Sequence, residues 1–109
     1  MAWLVTEGHV LASADTAVGH RDKARGLLGR DGVEGAFVIT NCRWVHTLGM
    51  RFALDIAYLD ADGLVVKMTH MGRHRIGLPV RRARTVVEAE AGAFERWGLH
   101  VGDVVELRD

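Results

Sequence analysis

The residues best equipped for chemistry fall in one stretch, Asn41 to Asp60. It holds the only Cys (Cys42), the only Tyr (Tyr58), and Trp44, His46, Met50, Arg51 and Asp55. A His with a carboxylate and an Arg can fix a small anion, or run acid–base chemistry when the imidazole titrates near neutrality. His46, Thr47, Met50, Arg51 and Asp55, joined by Arg25, are therefore the candidate ligand-binding residues. Two functions of different class follow. One is a binding module for a small polar or anionic ligand, or for a protein partner, centred on His46, Arg51 and Asp55. The other is a hydrolase- or lyase-type enzyme with His46 as base and Asp55 orienting it. No nucleophile elbow, Ser-His-Asp context or phosphate-cradling Gly loop accompanies them, so no catalytic residue is assigned.

Asp55 gives this stretch its interest. From Ala53 to Leu59 the residues alternate, with Leu54, Ile56 and Tyr58 on one side and Ala53, Asp55, Ala57 and Leu59 on the other. Neither side is polar, so the strand is expected to be covered on both. An ionised carboxylate there needs a donor or a cation. Either an Arg or backbone N–H groups satisfy it structurally, or it faces a pocket together with His46.

Three further groupings compete. Cys42, His46 and Met50 resemble the copper-ligand order of a cupredoxin loop, with His9 as a second, upstream His. On a strand, however, four residues span about 13 Å, too far for a shared metal. No metal or other cofactor is expected. From Gly63 to Val87 there is no Asp or Glu, while Lys67, Arg73, Arg75, Arg81, Arg82 and Arg84 lie inside. With His70 and His74, the basic loop from Arg73 to Arg84 can grip phosphates. It lacks interleaved aromatic residues for base stacking, so a solvated loop is expected and nucleic acid is not an expected partner. Glu88 and Glu90 share one side of their strand, a pattern that usually faces solvent.

The elements that must position these residues are mostly strands. Trp3–Thr6 and His9–Ala14 flank a Glu7-Gly8 hairpin signal, and Asp15-Thr16 ends the second strand. The periodicity of His20 to Leu28 predicts the one clear helix, with Gly29 as its C-cap. Ala36–Thr40 is a strand by composition. Arg43–Thr47 continues extended, with Trp44 and His46 on one side and Arg43, Val45 and Thr47 on the other. Asp60-Ala61-Asp62-Gly63 is a turn, Leu64–Met68 the returning strand, and Met71–Val80 an exposed loop. Thr85–Ala89 and Val104–Leu107 are strands, with a turn or short helix at Ala91–Trp97 between them. The fold class is mainly β, a compact barrel or sandwich of about seven or eight short strands.

At 109 residues, 49% of them hydrophobic, the chain reads as one folded domain over 1–109. Its 14 basic and 14 acidic residues cancel, so no global field draws in nucleic acid or a membrane. No run approaches the roughly 18 apolar residues of a membrane span. The first ten residues lack the pattern of a signal peptide, and one Cys cannot form an internal disulfide, which together lead to the expectation of a cytoplasmic protein.

Several segments in register resemble the family called domain of unknown function 192. They are Arg25-Gly26-Leu27-Leu28-Gly29-Arg30, Trp44-Val45-His46-Thr47 with Met50-Arg51-Phe52-Ala53-Leu54-Asp55, Asp62-Gly63-Leu64-Val65-Val66, and Val87 to Gly92 with Gly102-Asp103. The resemblance covers about residues 20 to 107. It implies a compact, predominantly β domain found in bacteria and archaea, with no assigned activity. The chain resembles the branch of that family with a His-Thr pair followed by Met-Arg-Phe, and has Ala53 where Pro is usual.

Overall fold

The computed structural model describes residues 2–18 and 32–109. The helix expected over 20–28, and with it Arg25, lies outside the described residues. Strand β1 (Ala2–Thr6) turns into β2 (His9–Val18) through Glu7 and Gly8, whose φ angles of 48° and 80° match the twist of a tight hairpin. Then follow β3 (Ala36–Thr40), β4 (Leu54–Leu59), β5 (Val65–Met71), β6 (Thr85–Glu90), a short helix α1 (Ala93–Trp97) and β7 (Val105–Arg108). The seven strands form one sheet in the order β5-β4-β6-β3-β2-β1-β7, curled into a half-barrel. All neighbours are antiparallel except β2 and β3.

Two strands run further than the sequence suggests. β2 continues through the expected stop at Asp15-Thr16, because Ala14 to Val18 pair in parallel with Ala36 to Thr40. β5 continues to Met71 because it follows β4 along its whole length. In both, ladder hydrogen bonds to a neighbour outweigh a local turn preference. Arg43–Thr47, expected to be strand-like, has a single bridge, His46 to Ile76.

The two sheet edges meet. Leu64 beside β5 bridges Val104 beside β7, the Val65 N–H donates to the Asp103 carbonyl at 2.9 Å, and the Val105 N–H donates to the Gly63 carbonyl at 2.8 Å. Gly63 makes this seam fit. Its φ is 84°, and a Cβ there would lie 2.4 Å from the Val105 carbonyl oxygen. No other residue satisfies both the turn and the approach.

Strand alternation then sorts the core into two. One cluster draws on all seven strands, through Leu4, Ala14, Val38, Ala57, Leu59, Val65, Val87, Ala89 and Val105, with Phe94 of α1 and Leu99. A cluster fed by every strand of a curled sheet is its interior, and the alanines on β2, β3, β4 and β6 let the strands curl around it. The second lies on the outer face: Phe37, Ile39, Leu54, Ile56, Tyr58 and Val86, covered by Cys42, Val45, Met50 and Ala83. Each large side chain enclosed this way adds on the order of 1.5–3 kcal/mol before the entropy of ordering is counted.

Candidate functional site

Asp55 stands on the interior side of β4, at the end away from the Asp60–Gly63 turn. Its Oδ2 accepts the backbone N–H of Gly92 at 2.9 Å and of Phe94 at 3.2 Å. The first turn of α1 has no side-chain cap of its own, so a carboxylate from a distant strand performs that task. Across the β4–β5 hairpin, Asp55 is in register with His70, whose Nδ1 lies 3.5 Å from Oδ1. Asp55 is enclosed, its side chain 13% exposed, whereas His70 is open to solvent at 62%.

Around this pair is a cleft of about 510 Å³ at the mouth of the half-barrel. Met68, Phe94 and Leu99 give it an apolar floor, and Asp55, His70, Glu95 and His100 supply polar groups. A pocket with an apolar body and a few converging polar groups suits a small molecule. Two carboxylates facing two imidazoles favour a ligand that brings hydrogen-bond donors or positive charge.

The other described residues singled out from sequence lie elsewhere. Asp55 accepts from the Gly92 and Phe94 amides and faces His70; among the described residues, neither His46 nor Arg51 is its partner. The His46 Nδ1 accepts the Leu48 N–H at 3.2 Å, and the His46 ring packs at 5.8 Å from Trp44. The His46–Asp55 pair that the enzyme reading calls for is not among these contacts of the described residues. Arg51 is exposed. Thr47 is wholly buried and organises backbone: its hydroxyl donates to the Gly72 carbonyl at 2.6 Å and accepts the Arg75 N–H at 2.9 Å. Its own N–H and carbonyl tie to Arg75, and to Met50 and His74. Met50 is 4% exposed, inside the outer core. Cys42 is also enclosed there, its thiol donating to the Trp44 carbonyl at 3.1 Å. Among the described residues, no three His, Cys, Asp or Glu side chains converge as a metal would require.

Two residues escaped the sequence reading. By sequence His70 belongs with the basic segment. Stepping back four residues from the Leu59–Val65 pair would set Asp55 opposite Thr69, but a bulge between Tyr58 and Leu59 shifts the register by one and brings His70 there. Glu88, expected in solvent beside Glu90, is instead wholly buried on the outer face, between Phe37 and Ile56 of the flanking strands. Like-charge alternation misled here because β6 is central and covered on both sides.

The basic segment is exposed, as expected. Arg82 reaches Asp60 at 3.5 Å, and Arg84 turns back to the Ala83 carbonyl at 3.0 Å. No helix among the described residues is long and apolar enough to cross a membrane.

The chain resembles two archaeal proteins, both called UPF0127 protein. It is 37% identical over 62 residues to one from Pyrococcus furiosus and 32% identical over 62 residues to one from Pyrococcus abyssi. In each case the match takes in 57% of this chain and 53% of the relative, so it spans about half the length of these curated relatives. Two crystal structures share its fold. One is a protein of unknown function from Novosphingobium aromaticivorans, with TM-score 0.78 and 22% identity, covering 96% of this chain and 82% of that one. The other is from Sinorhizobium meliloti and is titled a putative transcription regulator, with TM-score 0.79 and 20% identity, covering 96% and 90%. At those identities the likeness concerns the fold alone. Residues 2–107 match the DUF192 family, described as Uncharacterized ACR, and the chain belongs to that family.

Proposed function

We propose that this domain is a binding module for a small polar ligand, held in the cleft at the mouth of the half-barrel. The observation that carries this reading is the Asp55–His70 pair: an enclosed carboxylate, fixed by two amides, beside an open imidazole over an apolar floor. Asp55 is already oriented by the Gly92 and Phe94 amides, so a ligand gains its hydrogen bond without ordering the carboxylate first. His70 adapts, since its ring is largely in solvent and can donate or accept. Phe94 and Leu99 offer the body of the ligand an apolar surface. A ligand carrying an amine or several hydroxyl groups suits this lining best. His46 and Arg51 are not part of this pocket's lining.

The test is a thermal-shift screen of small amines, polyols and sugars on the parent, on His70→Ala and on His46→Ala. A ligand present at a hundred times its Kd adds about 2.7 kcal/mol of stability, which for a domain of this size shifts Tm by roughly 10 °C or more. The shift is expected to be retained in His46→Ala and largely lost in His70→Ala. Equal shifts in parent and His70→Ala would move the site away from this cleft.

A further inference from the structure

Beside the half-barrel, residues 43–48 and 74–80 form a short irregular ribbon. The Thr47 N–H donates to the Arg75 carbonyl at 2.8 Å, the Gly77 N–H to the Val45 carbonyl at 2.9 Å, and the Val80 N–H to the Arg43 carbonyl at 2.8 Å. Between the first two, His46 bridges Ile76. Alternation separates the middle of the ribbon, whereas Arg43 and Arg75 at its ends are exposed and Val80 packs against the core. Val45 and Thr47 are wholly buried, and Gly77 packs against Met71 and Tyr58. Trp44, His46 and Leu48 from one segment, with Ile76 and Leu78 from the other, therefore face outward. Leu78 and Ile76 are 77% and 67% exposed, the most exposed large apolar side chains among the described residues.

Exposed arginines lie in and beside the same segments. Arg43, Arg73, Arg75 and Arg81 are exposed, and none makes an ion pair with a described residue. The sequence from Gly63 to Val87 contains no acid to neutralise them. A zero net charge thus conceals a local excess of exposed arginines beside exposed apolar side chains. We propose that this outward face docks on an anionic phospholipid surface, independently of the mouth cleft. Arginines attract the headgroups, Ile76, Leu78 and Leu48 enter the boundary below them, and the Trp44 indole sits at the headgroup level. Protruding aliphatic tips need no preformed socket in a lipid layer, whereas a protein partner would have to supply one. Nucleic acid would make use of the arginines but not of the aliphatic tips, and only Trp44 among the outward side chains offers an indole for stacking. The ribbon is tied to the core through Thr47, so the apolar side chains are held outward before any contact is made.

The experiment is flotation of the full chain with vesicles of phosphatidylcholine alone, or with about a third phosphatidylglycerol. Binding is expected only to the anionic vesicles and is expected to fall as salt rises. Ile76→Ser/Leu78→Ser is expected to weaken it about tenfold, and Arg73→Ala/Arg75→Ala about thirtyfold by removing two charges near the surface. Val10→Ser, an exposed apolar position on β2, is expected to behave as the parent. All these side chains are exposed, and unchanged Tm values would show that the variants fold. Absence of flotation by the parent would overturn the proposal, as would flotation of both double variants equal to that of the parent. Binding of a single-stranded oligonucleotide with no vesicle binding would assign the face to nucleic acid instead.

Discussion

Tyr58 shows how far a single enclosed group can shape the behaviour of this domain. Burial raises its hydroxyl above the ordinary tyrosine value of 10.0, and the nearby Cys42 and Glu88 raise it further. The native state then keeps its proton at a pH where the unfolded chain has lost it. That contribution to stability is complete below about pH 10 and disappears as pH rises through the higher folded value. Chemical denaturation of Tyr58→Phe, followed from neutral to strongly alkaline pH, should show a shallower alkaline decline than the parent. Parallel declines would place the sensitivity elsewhere. Thr47 makes a second case. Thr47→Val keeps the shape but strands the Gly72 carbonyl and Arg75 amide beneath the ribbon, for an expected loss of about 2 kcal/mol in urea denaturation. The enclosure of Asp55 was legible from strand alternation alone. Its partners were not, because two are main-chain amides 37 and 39 residues away and the third depends on a bulge.

Among the elements, the β4–β5 hairpin is the most exacting. The Asp60 Oδ1 accepts the Asp62 N–H at 2.9 Å and the Leu64 N–H at 3.0 Å, closing the turn from within. The Leu64 amide does most to hold the Asp60 carboxyl below its ordinary value of 3.8, with the Asp62 amide and Arg82 adding to it. A depressed carboxyl stabilises the fold above that ordinary value and ceases to do so as pH falls through the folded one. Asp60→Asn should therefore flatten the acid limb of the stability profile, and an unchanged limb would show that other carboxylates control it. Gly63→Ala should cost about 3 kcal/mol or more, because a strained φ and a backbone collision coincide; a Cm within error of the parent would show that the seam tolerates a methyl group. The turn at Asp60–Gly63 was plain from composition, as were β3 and β4. The Arg43–Thr47 segment was harder to read. Its alternation was right, but its partner is a Gly- and Pro-containing loop that no local pattern identifies as a pairing strand.

At the scale of the whole molecule, mainly β character and strand number follow from alternation and turn signals, whereas strand order does not. Nothing local states that β7 lies against β1 or that β6 sits between β3 and β4, since those pairings depend on total burial rather than on neighbouring residues. The charge balance was equally uninformative, because cancellation over the chain says nothing about where the arginines gather. The β1–β7 pairing sets Leu4 against Leu107, near opposite ends of the sequence. During synthesis, the β1 edge of the β1–β2 hairpin stays bare until the segment through β7 has been made. Until β7 arrives, the nascent domain is a row of staves without its last member, and that interval is when another chain has its best opportunity to add a strand in its place.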